Sequence, residues 1–164
     1  MVVEWWLMRT PEELARRFRE HGRKVTPQRE RIFQILQGNE SHPTAESVYA
    51  ELVREMPTVS LKTVYQTLHE LGDMGEISSL DLGTGSVRFD PNQAEHHHLV
   101  CTRCHIIRDL YLDISEVRIP IEQLGGFEAG VAEITFRGLC ADCRAKGSDR
   151  VTDFRSDAGV NNKS

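Results

Sequence analysis

Two Cys-x-x-Cys pairs, Cys101 with Cys104 and Cys140 with Cys143, constrain this chain more than any other feature. Each pair can clamp two corners of a tetrahedron from one turn, and two pairs complete a closed tetrathiolate zinc site. A closed site has no open coordination position, so its role is structural. The half-chain around it, ~75 residues, has a marginal hydrophobic core, and a metal staple is the expected remedy. The apolar stretch 2–8 carries Glu4, follows no basic region and precedes no small-residue cleavage site. It therefore does not read as an export signal, and a reducing compartment is expected. There, such pairs mean metal or redox chemistry rather than disulfides; free thiols and redox-active pairs are the alternatives to zinc.

Upstream, the spacing predicts four short helices. Thr10-Pro11 with Glu13 opens the first, over 10–22, and Thr26-Pro27 opens the second, which Gly38 ends. The third covers 44–56, and the fourth starts at Ser60 and stops at Gly72, with Val64, Leu68 and Leu71 facing inward. That leaves Lys62, Thr63, Tyr65 and Gln66 pointing outward near its N-terminal end. Segments 76–82 and 86–90 read as strands joined by Gly83-Thr84-Gly85. Helices followed by a two-stranded hairpin describe a winged helix-turn-helix, whose second helix enters the major groove; a generic helical domain is the bland alternative. From Pro91 a small α/β domain is expected, with strands at 96–101, 106–113 and 127–139. A helix at 114–124 should kink or divide at Pro120. The fold class is thus α+β: a DNA-binding domain at 1–90 with 1–9 unassigned, a second domain at 91–145, and a disordered tail at 146–164.

Net charge is −5, from 20 Lys and Arg against 25 Asp and Glu, which argues mildly against nucleic acid as a partner. Seven basic residues nonetheless crowd into 16–31 (Arg16, Arg17, Arg19, Arg23, Lys24, Arg29, Arg31) against Glu20 and Glu30. This is either a local basic face or a solvated helix surface. No uncharged apolar run is long enough to cross a bilayer. Immediately before the first Cys pair stands Glu95-His96-His97-His98. On a strand, His96 and His98 face one side and His97 the other, so His96 and His98 form half of a metal site or simply a polar edge.

Taken in order, Arg23-Lys24-Val25-Thr26-Pro27-Gln28-Arg29, His42-Pro43-Thr44-Ala45-Glu46, Val59-Ser60-Leu61-Lys62-Thr63-Val64-Tyr65, Arg88-Phe89-Asp90 and the two Cys segments are highly specific. They resemble the ferric uptake regulator (Fur) family of metal-dependent bacterial repressors, over roughly residues 10–145. The resemblance implies a cytoplasmic homodimeric transcriptional repressor, not an enzyme, bound to an inverted repeat in double-stranded DNA. It implies structural Zn(II) on Cys101, Cys104, Cys140 and Cys143, with dimerisation through the second domain. It implies a regulatory Fe(II) or Mn(II) site of His42, Asp90, His96, His98 and Asp109, and DNA contacts from Arg29, Lys62, Thr63, Tyr65 and Gln66. Asp90 matches the peroxide-sensing branch, PerR, where iron-uptake members tend to carry Glu. A further family site would use Glu95, His97 and Glu116, but its additional histidine is Ala132 in this chain, so that site is incomplete. An iron, zinc or nickel uptake regulator on the same scaffold is the alternative. A metallohydrolase lacks an evident general base, and a zinc-stapled interaction module would lack metal-dependent DNA affinity. His21, His69 and His105 read as ordinary polar residues, and Trp5 and Trp6 lie outside the resemblance.

Overall fold

Side-chain caps start every one of the first four helices. A computed structural model describes residues 9–147, Thr84 excepted. Expectations for 1–8, with Trp5 and Trp6, and for the tail beyond Gly147 lie outside the described residues. In α1 (Pro11–Glu20) the Thr10 hydroxyl accepts from the Glu13 N–H while the Glu13 carboxylate accepts from the Thr10 N–H. Thr26, Thr44 and Ser60 cap α2 (Pro27–Leu36), α3 (Ala45–Glu55) and α4 (Leu61–Asp73) in the same way through their hydroxyls. The apolar faces of these helices meet in one core, with Phe18, Ile32, Phe33, Leu52, Val64, Leu68 and Leu71 fully or almost fully buried.

The hairpin is shorter than its sequence suggests. Strands β1 (Ser78–Leu80) and β2 (Arg88–Asp90) pair antiparallel, with Ser79 opposite Phe89. Pairing stops at Leu80 because the Asp81 carboxylate accepts from the Gly83 N–H at 3.1 Å, turning the chain early. Phe89 is fully buried in the helical core and anchors the hairpin to it.

A second sheet has the order β4-β3-β5, from β3 (His97–Cys101), β4 (Ile107–Leu110) and β5 (Thr135–Gly138). β4 runs antiparallel to β3 and β5 parallel to it, so Cys101 lies beside Gly138. The expected helix at 114–124 is a single turn, α5 (Ile121–Leu124), with Pro120 as its N-cap. Proline withholds an N–H and disfavours helical backbone at the residue before it, so no helix extends back through Pro120. The expected strand at 127–139 shrinks to β5, since Gly125, Gly126 and Gly130 interrupt the approach to it. A short α6 (Ala141–Ala145), unanticipated, starts at Cys140. Leu80 and Leu82 pack with Val100 and Ile107 in a separate small cluster, and Arg137 donates to the Leu82 carbonyl. This contact lays the hairpin on the sheet and brings Asp90 against the histidine strand.

Candidate metal centres

Five donor groups meet where the hairpin, the α2–α3 loop and the second sheet converge. His42 comes from the loop, Asp90 ends β2, His96 precedes β3, His98 lies on β3, and Asp109 sits opposite His98 on β4. One donor atom from each lies within 4.8 Å of all the others. His42, Asp90 and His98 are at most 2% exposed. Asp90 Oδ2 lies 2.9 Å from His96 Nε2, 3.5 Å from His98 Nε2 and 3.6 Å from His42 Nε2. His42 Nε2 and Asp109 Oδ1 are 2.9 Å apart, yet both are buried without an aligned hydrogen bond. A cation between them would satisfy both. His96 Nε2 and His98 Nε2 stand 3.1 Å apart, close to the ~3.0 Å edge that two nitrogens make at right angles on a metal ~2.1 Å away.

Outer groups fix these donors. The His96 Nδ1–H donates to the Ala94 carbonyl at 2.7 Å, and the His98 Nδ1–H donates to Glu133 Oε1 at 2.9 Å. Both Nε2 lone pairs therefore face inward. Asn92 braces both carboxylates: its N–H donates to Asp90 Oδ1 at 2.8 Å and its Nδ2 to Asp109 Oδ2 at 2.7 Å. Neither Asn92 nor Glu133 was anticipated. The Asx turn two residues after Asp90 was a readable signal for Asn92, but nothing in sequence points from Glu133 to His98, 35 residues away.

Burial pulls the His42 imidazole down, but the facing carboxylates of Asp109 and Asp90 outweigh it and push it up to about 9. Burial likewise raises Asp90, yet His42, His96, His98 and the Asn92 N–H hold its carboxyl well below the usual range. Opposed by burial, Asp90 and the Ala94 carbonyl raise His96, and His42 and Asn92 lower Asp109. Protons thus do at this cluster what a divalent cation would do. Three imidazoles and two carboxylates without thiolate suit Fe(II), Mn(II) or Zn(II).

The second centre sits at the far end of β3. Parallel pairing of β3 with β5 delivers both Cys turns to one end of the sheet, where the four sulfurs lie within 4.8 Å of one another. Cys104 Sγ and Cys140 Sγ are 3.6 Å apart, near the ~3.8 Å edge of a tetrahedron with 2.3 Å zinc–sulfur bonds. The N–H groups of Cys104 and Cys140 lower the Cys101 thiol to about 5, whereas burial pushes Cys143 up to about 12. The donor set suggests a structural zinc site.

The remaining candidates are less uniform. Six of the seven clustered basic residues are in ion pairs: Arg16 with Glu20, Arg17 with Glu76, Arg19 with Glu30, Arg23 and Arg29 with Glu70, Arg31 with Glu55. Arg29 is only 12% exposed; it donates to the Lys24 carbonyl and lies over the Phe18 ring. Lys62 and Gln66 are exposed on α4, whereas Thr63 and Tyr65 are half-buried. The Tyr65 hydroxyl donates to Glu46 on α3. His97 is buried, and its Nδ1 accepts from the Ile134 N–H; among the described residues it joins no metal-binding group with Glu95 or Glu116.

The profile of the ferric uptake regulator family matches residues 20–136. Over 138 residues the chain is 33% identical to the peroxide-responsive repressor PerR of Staphylococcus epidermidis, covering 84% of this chain and 92% of that one. Its fold superposes on a ferric uptake regulator from Francisella tularensis with iron at a TM-score of 0.65, with 28% identity over 75% of this chain and 96% of the other. A zinc-bound manganese uptake regulator gives a TM-score of 0.62, with 28% identity over 80% of this chain and 99% of that one.

Proposed function

The chain belongs to the ferric uptake regulator family of DNA-binding transcriptional regulators, and from that premise we propose that it is a repressor controlled by hydrogen peroxide. The observation that carries the reading is the buried five-donor cluster, which joins His42 and Asp90 of the N-terminal half to His96, His98 and Asp109 of the C-terminal half. On this reading residues 1–90 are a winged helix-turn-helix DNA-binding domain and 91–145 a dimerisation domain. A cation gripping both halves favours the arrangement in which they are drawn together, by about 2.7 kcal/mol at a hundredfold excess over Kd.

The start of α4, with Lys62, Thr63, Tyr65 and Gln66, enters the major groove, and Arg29 supports it from α2. Leu99 and Phe136 stand exposed on the second sheet, and β5 pairs on one edge only among the described residues. That edge suits a second copy, giving a homodimer with two α4 helices for an inverted repeat. Zinc on Cys101, Cys104, Cys140 and Cys143 holds the sheet, and four thiols suit a reducing cytoplasm. Among the described residues no helix is long and apolar enough to cross a membrane.

Identity with PerR repressors and the carboxylate at Asp90 support peroxide as the signal. Fe(II) held by His42, Asp90, His96, His98 and Asp109 would supply electrons to reduce peroxide beside these side chains. His42 and His96 hold their nitrogens at that point, and an oxidised imidazole is a poor ligand. Its loss severs the link between the halves and releases DNA.

The test is mass spectrometry of the His42 and His96 peptides after peroxide treatment of the Fe(II) and Mn(II) forms. One added oxygen on either histidine, in the iron form alone and parallel to loss of DNA binding, is expected. Intact histidines with undiminished DNA binding would make the chain a metal-uptake regulator instead.

A further inference from the structure

His42 and His105 are the two non-glycine residues with positive φ among the described residues, at 50° and 60°. L side chains enter that region rarely, and His42 also precedes Pro43, whose ring disfavours helical backbone before it. Such conformations persist only where their surroundings over-determine them. These two share a neighbour. Arg88 Nη1 donates to the His42 carbonyl at 3.3 Å, and Arg88 Nη2 donates to the His105 carbonyl at 3.4 Å.

The two carbonyls belong to different centres. His42 is in the imidazole–carboxylate cluster; His105 closes the first thiolate turn, where its N–H donates to the Cys101 carbonyl at 3.0 Å. Arg88 stands two residues before Asp90 on β2, hence on the same face of the strand. Its Nε is buried with no hydrogen-bond partner, so the guanidinium is drawn in by the two carbonyls it reaches. The next residue pins the same loop, since the Phe89 N–H donates to the Pro43 carbonyl at 2.9 Å.

We propose that Arg88 is a positioning residue that couples the two metal centres, holding His42 and His105 in left-handed backbone through one guanidinium. The proposal rests on reading the His42 cluster as a metal site. Order in the thiolate turn fixes the His105 carbonyl, that carbonyl fixes Arg88, and Arg88 fixes the loop that aims His42. Coupling of this kind is reciprocal, so metal in either centre raises affinity at the other.

The full-length zinc-loaded protein tests it, with Mn(II) as the probe of the His42 cluster and release of zinc to a chelator as the probe of the thiolates. Arg88→Lys keeps the charge but loses the planar fork. It is expected to weaken Mn(II) binding about tenfold, as loss of an outer partner does, and to quicken zinc release. Adding His105→Gly to Arg88→Lys lets residue 105 take positive φ without a Cβ penalty. Zinc retention should then recover while Mn(II) affinity stays low, a separation that general loss of structure would not produce. Wild-type Mn(II) affinity and zinc release in Arg88→Lys would overturn the proposal, as would two losses that His105→Gly leaves unchanged. His42→Ala is the separate control. If it binds Mn(II) like the wild type, the reading of the site fails, and the coupling with it.

Discussion

At His42 a proton and a metal ion compete for one lone pair. Its pKa is raised to about 9 in the folded chain, against ~6.5 unfolded. In the metal-free protein the stabilisation from that proton is therefore full below ~6.5 and is lost as pH rises through about 9. Asp90 works in the opposite sense: its carboxyl is depressed, so its contribution is present above ~3.9 and lost as pH falls below that. Mn(II) must displace the His42 proton, so its log affinity should rise with pH by at least about one per unit below about 9, His96 being raised as well, and flatten above it. Titrations across that range, with melting curves of the metal-free protein, check both halves. A pH-independent Mn(II) affinity would mean that His42 is not a ligand. The family resemblance named all five residues that the fold gathers into the cluster, Asp109 only by its place after the first Cys pair. It missed Asn92 and Glu133, which act only through contacts the folded sheet creates.

The first four helices were legible because Thr10, Thr26, Thr44 and Ser60 announce them and their burial repeats at helical spacing. The stretch 111–134 was not, because Pro120 and the glycines around 125–130 cut its apolar residues into pieces too short for a period to show. Charge was the other failure of legibility. The seven basic residues at 16–31 left a basic face and a solvated surface both open, because Glu76, Glu70 and Glu55, which pair with Arg17, Arg23, Arg29 and Arg31, come from elsewhere in the chain. Variants at Lys62 on α4 and at Arg29 on α2 should consequently part company. Lys62→Ala should weaken DNA binding and shallow its salt dependence by about one ion, with the melting temperature unchanged. Arg29→Ala should weaken DNA binding and also cost about 1–2 kcal/mol of stability, since it strips Glu70 of a partner and uncovers Phe18. Fluorescence anisotropy paired with thermal melts separates them; equal melting temperatures would place Arg29 at the surface after all.

Across the whole molecule, β3 is the strut: it carries His98 near one end and Cys101 at the other. Cys140→Ser should release zinc and unfold the second sheet, because the zinc-binding energy in such sites is ~10–16 kcal/mol. A zinc-free variant that keeps its sheet by circular dichroism would deny the thiolates a structural role. The packing of Leu80 and Leu82 against Val100 and Ile107 has a different kind of consequence. It needs no metal ion, so on the reading proposed above it sets the background level of the DNA-competent form before any signal arrives. A larger contact there would silence genes more tightly yet leave a smaller change for peroxide to make. A smaller one would widen the response and let transcription leak. Four aliphatic side chains thereby trade basal silence against dynamic range.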